Sequence, residues 1–423
     1  NLLDPKNLLN KSGVTVALVN RDTIGLKKKT YHNPLNVDFP NGTVKGEIEI
    51  DLDNIIGGKQ MVGEGWKMLT ECLSAGRGIS LPATANASSK VASYGIYNYI
   101  LVRDQFKMPL ANMEAIQEKF NSMIYNTWII QSSIKLTNDI LDSGNSPAVI
   151  SAIMKQQCTE RGRDVLNHGL DIHAGSGICV GYNNFLEKFY RSAPIGITVE
   201  GSNTLTRSLI IFGQGLNKSH PHIYNILDSI LDNDINKFRS SFNSQILLTL
   251  KLYAKSFGFK NELNDHIVRF AMLANIIALQ GGKLKKNQML SGDMADIFSN
   301  LYLAISVLYY DSINNTSSEL TQYVINRLLM ENQLKFNKII DNLDGFKYLV
   351  SHLKRDVKQI SYEDERAIFK EIMNNKDIMN NIKEHVHISG VLKDMEMIHQ
   401  YDSSSEEYMN LKNKIINVGE YNV

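Results

Sequence analysis

Proline is scarce in this chain, with 8 in 423 residues, and cysteine scarcer, with 3. Few prolines and many Leu, Ile, Lys and Asn point to helix-rich structure. Cys72, Cys158 and Cys179 are widely spaced and odd in number, which excludes a disulfide framework and suits a reduced, cytoplasmic setting. Cys158 and Cys179 read as buried fillers, since neither has a base nearby in sequence. Charge is not in excess: 45 Lys+Arg stand against 44 Asp+Glu. That leaves no basic footprint, so no nucleic-acid partner is expected. No apolar run reaches the roughly 18–20 residues of a spanning helix, so any contact with an inner membrane is expected to be peripheral. No secretory signal opens the chain.

What is there is 43% hydrophobic, enough for two or three packed units. Residues 1–62 read as strands. Val14–Asn20 is β-branched, and in Thr43–Leu52 Val44, Gly46, Ile48 and Ile50 alternate with charged residues after the turn signal Asn41-Gly42. From Gly63 the period turns helical. One long helix is expected from Trp66 to about Gln105, with small residues at Pro82–Ser89 that allow close packing. A second is expected over Ala115–Leu141, with Ile116, Phe120, Met123, Ile124 and Trp128 on one stripe. Pro147 starts a third, through about Ile172, and Ser202–Phe212 forms a fourth, completing an antiparallel bundle. Beyond Pro221 the chain reads as helical almost throughout. Leu290, Met294, Ile297, Phe298, Leu301, Ile305 and Leu308 form one apolar stripe, and residues 370–423, rich in Asn, Lys, Glu and Ser, are expected to fray toward the end. The fold class expected is mainly α with a small β part.

The segment richest in chemistry runs Ile197-Thr198-Val199-Glu200-Gly201-Ser202-Asn203-Thr204-Leu205-Thr206-Arg207. Glu200 follows an apolar lead-in and precedes a glycine and small hydroxyl residues that open a helix. A carboxylate there is expected to be held away from water, where it makes a stronger base. With the adjacent N–H groups it could draw a proton from the carbon beside a carbonyl. The plainer reading is an acid that stabilises a helix N-terminus. Ser202 is equally a plain helix cap, and Arg103 equally a cation ending a helix. His173-Ala174-Gly175-Ser176-Gly177 follows a helix rather than a strand, so it is no dinucleotide fingerprint. By itself it reads as a helix-ending turn in which glycine supplies a positive φ. His385-Val386-His387 lacks metal-ligand partners, and Lys283–Lys286 reads as a solvated turn.

Taken together, these segments resemble the acyl-CoA dehydrogenase family, in particular its large bacterial fatty-acid-oxidation type. Val-Glu-Gly-Ser-Asn-x-Leu-Thr-Arg matches the family's Glu-Gly-Thr/Ser/Ala catalytic motif without a gap. The resemblance implies FAD-dependent α,β-dehydrogenation of a fatty acyl-CoA in β-oxidation. Glu200 would be the α-proton base, and its N–H, followed by Gly201, would face the thioester. Arg77, on the first long helix, would brace the carboxylate. Arg103 and Phe106 match the family's Arg-x-x-Phe pair. Asp171, Gly175 and Gly177 fall on its Gln-x-x-Gly-Gly-x-Gly loop, where Asp171 replaces the glutamine and Ala174 the first glycine. Both sets would reach FAD across a subunit boundary, implying a homodimer or higher. Ser202 and Thr204 fall where relatives hold the flavin diphosphate. An electron-transfer flavoprotein would reoxidise the cofactor. The expected organisation is the later part of a middle β-domain at 1–62, a four-helix catalytic domain at 63–219, and a helical C-terminal extension at 220–423. The opening Asn-Leu-Leu-Asp-Pro then reads as the middle of a loop with an N-terminal domain missing, and this piece is expected to be weakly active or inactive and to bind FAD poorly. The alternative is a non-catalytic helical scaffold that keeps the fold for oligomerisation.

Overall fold

A computed structural model describes residues 13–20, 22–23, 25, 27–145, 148–343 and 345–417. The opening Asn1–Pro5 and Pro147, given a role above, lie outside them. The chain forms two compact units, residues 1–77 and 78–423.

Among its described residues the first unit holds little regular sheet. β1 (Lys27–Thr30) pairs antiparallel with β2 (Thr43–Lys45). The strand expected over Thr43–Leu52 stops at Lys45, and Val44 faces out, 60% exposed. Val14–Asn20 makes only isolated bridges, Val14 to Glu64 and Ala17 to Ile55. A two-stranded ribbon has no second sheet or helix of its own to reward a longer ladder. Asn41 does not make a tight turn. Its side chain closes a longer connection by bonding the backbone of His32 at 2.7 and 2.8 Å.

Helix α1 (Gly65–Val102) runs from the first unit into the second, and α2 (Glu114–Asp142) and α3 (Ala148–His173) follow at nearly the expected bounds. The small-residue stretch of α1 does allow close packing: a Cβ added at Gly162 of α3 would lie 3.1 Å from that of Ala85. On α2, Phe120, Met123, Ile124 and Trp128 are buried. Next comes α4 (Glu187–Thr198), packed on α3, which the periodicity did not reveal. The fourth bundle helix is broken. Asn203–Leu205 is one turn, Thr206–Gln214 is a π-helix, and Gly215–Ser219 returns to α.

The C-terminal half adds α5 (Ile223–Leu231), α6 (Ile235–Lys255), α7 (Glu262–Ala278), α8 (Gln288–Asn314) and α9 (Ser318–Asp341), with shorter helices beyond. α8 packs on α2 and the π-helix, so bundle and extension share one core. Its stripe is buried at Met294, Ile297 and Leu301, but Ile305 and Leu308 are exposed because the buried face there runs through Leu303, Ser306, Val307 and Tyr310 instead. Residues 370–416 are held in the fold, and residues 418–423, at the end where fraying is expected, lie outside the described ones. Ile378, Ile382, Met395, Ile398 and Ile415 are fully buried, and Asn183 donates to the carbonyls of Lys414 and Ile415 at 2.6 Å. Among the described residues no helix is long and apolar enough to cross a membrane.

Candidate functional site

Glu200 lies in the turn after α4. The Val199 N–H closes that helix onto Ile195, and two left-handed residues follow, Glu200 at φ 55° and Gly201 at φ 97°. Glycine adopts this region freely, but a glutamate there costs on the order of 1 kcal/mol, so other contacts must hold it. Lys155 of α3 does so. It is fully buried, and its Nζ donates to the carbonyls of Ile197 (3.1 Å) and Gly201 (2.7 Å) and to Asn203 Oδ1 (2.6 Å). Buried Asn203 in turn donates to Thr159 Oγ1 (2.9 Å) and Glu160 Oε1 (3.0 Å). One face of α3 therefore fixes the turn on both sides of Glu200. Sequence reasoning missed both residues. A helical lysine reads as solvated, and the sole hint was its place after Ala152-Ile153-Met154.

The expectation that Glu200 is shielded from water is not met: it is exposed. The turn carries it off the end of α4, and the apolar lead-in at Ile195 and Ile197 is itself only half-buried. Neither its N–H nor that of Gly201 bonds to any described residue. Ser202 and Thr204 are exposed as well, and Ser202 makes no side-chain cap.

Arg207, the last residue of the motif, is engaged elsewhere. It forks onto Asp296 with two contacts of 2.7 Å and reaches Asp293 at 3.1 Å. Gly292 makes room for it, since a Cβ there would lie 2.4 Å from Arg207 Nη1. The Ser291 hydroxyl also bonds the Ser208 carbonyl at 2.7 Å. The extension thus grips the π-helix directly after the Glu200 turn.

A second cluster sits at the other end of α3. Arg103 ends α1 and opens a small hairpin, Asp104–Gln105 against Met108–Pro109. At its tip Phe106 (φ 52°) and Lys107 (φ 65°) take a conformation that usually calls for Asn-Gly, and Phe106 is 86% exposed. In the glycine loop, the positive φ expected of glycine belongs to Ala174 (54°). Gly175 instead starts a short helix with open space around its Cα, while Gly177 packs against Leu170 and His173. Tyr99 joins hairpin and loop: its ring meets His173 edge-on at 4.5 Å. His173 is buried with neither nitrogen hydrogen-bonded, and burial pushes it down to about 4. Asp171 is exposed and ion-paired to Lys119 at 2.6 Å.

The two clusters do not meet within the chain. Lys155 and His173 lie on the same helix, about 27 Å apart at the α-helical rise. Arg77 lies on the part of α1 in the first unit and is partly buried. Cys158 is a buried filler, its thiol pushed up to about 12 by burial, but Cys179 is exposed because it follows the short helix into a surface loop. No group of three or more potential metal ligands occurs among the described residues.

Residues 63–213 match the family described as acyl-CoA dehydrogenase, C-terminal domain, and residues 255–418 match acyl-CoA dehydrogenase, C-terminal, bacterial type. A 96-residue stretch, 22% of the chain and 56% of the other protein, is 45% identical to Protein HemX of Proteus mirabilis. Longer matches are acryloyl-CoA reductase (NADH) of Anaerotignum propionicum, 27% identical over 49% of this chain and 52% of that one, and a probable acyl-CoA dehydrogenase of Bacillus subtilis, 25% identical over 60% and 44%. The chain spans about half the length of the curated relatives it matches. Among solved structures, acyl-CoA dehydrogenase complexed with FAD from Bacillus anthracis superposes with a TM-score of 0.67 at 19% identity, covering 87% of this chain and 66% of that one. At that identity the likeness speaks to the fold alone. The two family matches together take in the Glu200 turn, the Arg103 hairpin and most of the extension that grips them: the chain belongs to the acyl-CoA dehydrogenase family.

Proposed function

We propose that Glu200 is the base of an FAD-dependent acyl-CoA dehydrogenation that oxidises fatty acyl-CoA to the trans-2-enoyl thioester in β-oxidation. The observation that carries this reading is the left-handed turn at Glu200, held from beneath by Lys155, with its carboxylate and N–H both left open. Strain of this kind collects where a group must be presented to a ligand. The N–H would donate to the thioester carbonyl, so that charge developing on its oxygen is stabilised as the carboxylate takes the α-proton. FAD, when bound, supplies the hydride acceptor for the β-carbon that no side chain can provide.

The residues present suit FAD. Ser202 and Thr204 offer uncommitted hydroxyls beside the Glu200 turn, and Gly175 offers open backbone. Arg103 supplies a fixed positive charge for a diphosphate, and Phe106 an exposed aromatic face. Gly177 shapes the loop, Asp171 flanks it, and Gly201 gives the Glu200 turn its second left-handed residue. Arg77 is assigned a bracing role by family resemblance alone. The roughly 27 Å between the clusters favours sharing them between two copies. In this reading Arg103 and the glycine loop of one protomer serve the Glu200 turn of its partner, in a homodimer or larger assembly. Electron-transfer flavoprotein is the proposed electron acceptor.

The test is α-carbon deuterium exchange of a long-chain acyl-CoA in D2O, with the chain loaded with FAD. Exchange lost in Glu200→Gln supports the reading. Exchange unchanged by the substitution moves the base elsewhere, and a preparation that binds neither flavin nor acyl-CoA favours the scaffold.

A further inference from the structure

Between α7 and α9 a cavity of about 580 Å³ lies beneath the irregular segments at 257–260 and 355–360. None of its lining residues belongs to the Glu200 turn or the Arg103 hairpin. Its size falls in the range of about 300–1,000 Å³ typical of small-molecule sites.

Its lining includes a buried guanidinium. Arg269 is 1% exposed. Its Nη1 donates to Gln333 Oε1 (2.7 Å) and the Leu353 carbonyl (3.0 Å), and the group stacks over Phe336 at 4.6 Å. Its Nε lies 2.7 Å from Asp265 Oδ2, an ion pair outside hydrogen-bond geometry. No described residue accepts from Nη2. A guanidinium has five donors, and leaving any unanswered inside a protein is costly.

The lining is balanced in formal charge, with Arg269, Arg355, Lys260 and Lys358 against Asp265, Glu262, Asp356 and Asp364, but its two guanidiniums converge on one carboxylate. Arg355 reaches toward the same carboxylate, its Nη2 4.0 Å from Asp265 Oδ1, so two guanidiniums share one acid. His266 beside them is buried with Nδ1 unpartnered. It stays neutral, pushed down to about 3 by burial and by the two arginines. Lys260 and Lys358 line the cavity too, against Glu262, Asp356 and Asp364, and Asp364 is committed to the cap of the helix that starts at Tyr362. Phe257, stacked on His352 at 4.5 Å, contributes an apolar wall with Met330.

We infer that this cavity binds a small organic anion, its carboxylate or phosphate head on Arg269 and Arg355 and its apolar body against Phe257 and Met330. The site is separate from the proposed chemistry, so its test needs no turnover. The probe is 2-naphthoate, titrated calorimetrically into the full chain, with neutral 2-naphthamide as control and inorganic phosphate as competitor. One naphthoate should bind per chain, at least tenfold tighter than the amide. Phosphate should compete with it for the two arginines. Arg269→Met should abolish binding. Arg355→Ala, at a partly exposed position, should weaken it at least fivefold with the thermal unfolding midpoint of the chain little changed. Equal binding of acid and amide, no saturable binding, or full affinity in Arg355→Ala would overturn the inference.

Discussion

The buried ammonium of Lys155 stands 2.7 Å from the carbonyl oxygen of Gly201, directly beneath the left-handed turn that presents Glu200. Lys155→Met would leave two carbonyls and the Asn203 amide oxygen without this donor. The expected cost is on the order of 3 kcal/mol in urea unfolding. The turn should relax as well, so α-proton exchange should fall further than folded fraction alone explains. Exchange that tracks the folded fraction would reduce Lys155 to a structural role.

Arg207 and Asp296 tie the Glu200 segment to the extension. The cycle Arg207→Met, Asp296→Asn and the double variant should give a coupling of about 1–2 kcal/mol, since each single change strands a partner in a half-buried network. Coupling near zero would mean that Lys335, 2.6 Å from Asp296, substitutes fully.

How much of this was legible in the sequence depended on whether a signal was local. α1, α2 and α3 announced themselves by period, and the Glu200 and Arg103 segments by residue order. The π-helix was hidden, because its wide turn holds Arg207 and Ser208, which bond across to α8. Residues 370–423 read as rich in Asn, Lys, Glu and Ser, yet Ile378, Met379 and Ile382 bury one face of a helix whose other residues are Lys, Asp and Asn. Lys155 was invisible because its three acceptors lie more than 40 residues away in sequence.

His173 makes stability depend on pH. Its folded value of about 4 lies below the ordinary 6.5, so between those values the unfolded chain binds the proton and the folded one does not. Its contribution is present above about 6.5 and is lost as pH falls toward 4, amounting to about 2 kcal/mol between pH 7 and pH 5. His173→Phe should keep the contacts with Tyr99 and Phe185 while flattening that slope by the same amount in urea titrations at the two pH values.

Phe106 holds a conformation better suited to glycine and touches solvent over most of its surface. Phe106→Gly should leave stability unchanged or raise it by up to about 1 kcal/mol in thermal unfolding. It should lower FAD affinity several-fold by equilibrium dialysis. Unchanged affinity would remove Phe106 from the cofactor site.

The most direct measurement is deuterium uptake at the α-carbon of a long-chain acyl-CoA, catalysed by the FAD-loaded protein and by its Glu200→Gln variant. The account predicts uptake by the parent and a loss of at least a hundredfold in the variant, with folding and FAD binding retained. Equal uptake by the two proteins would contradict it.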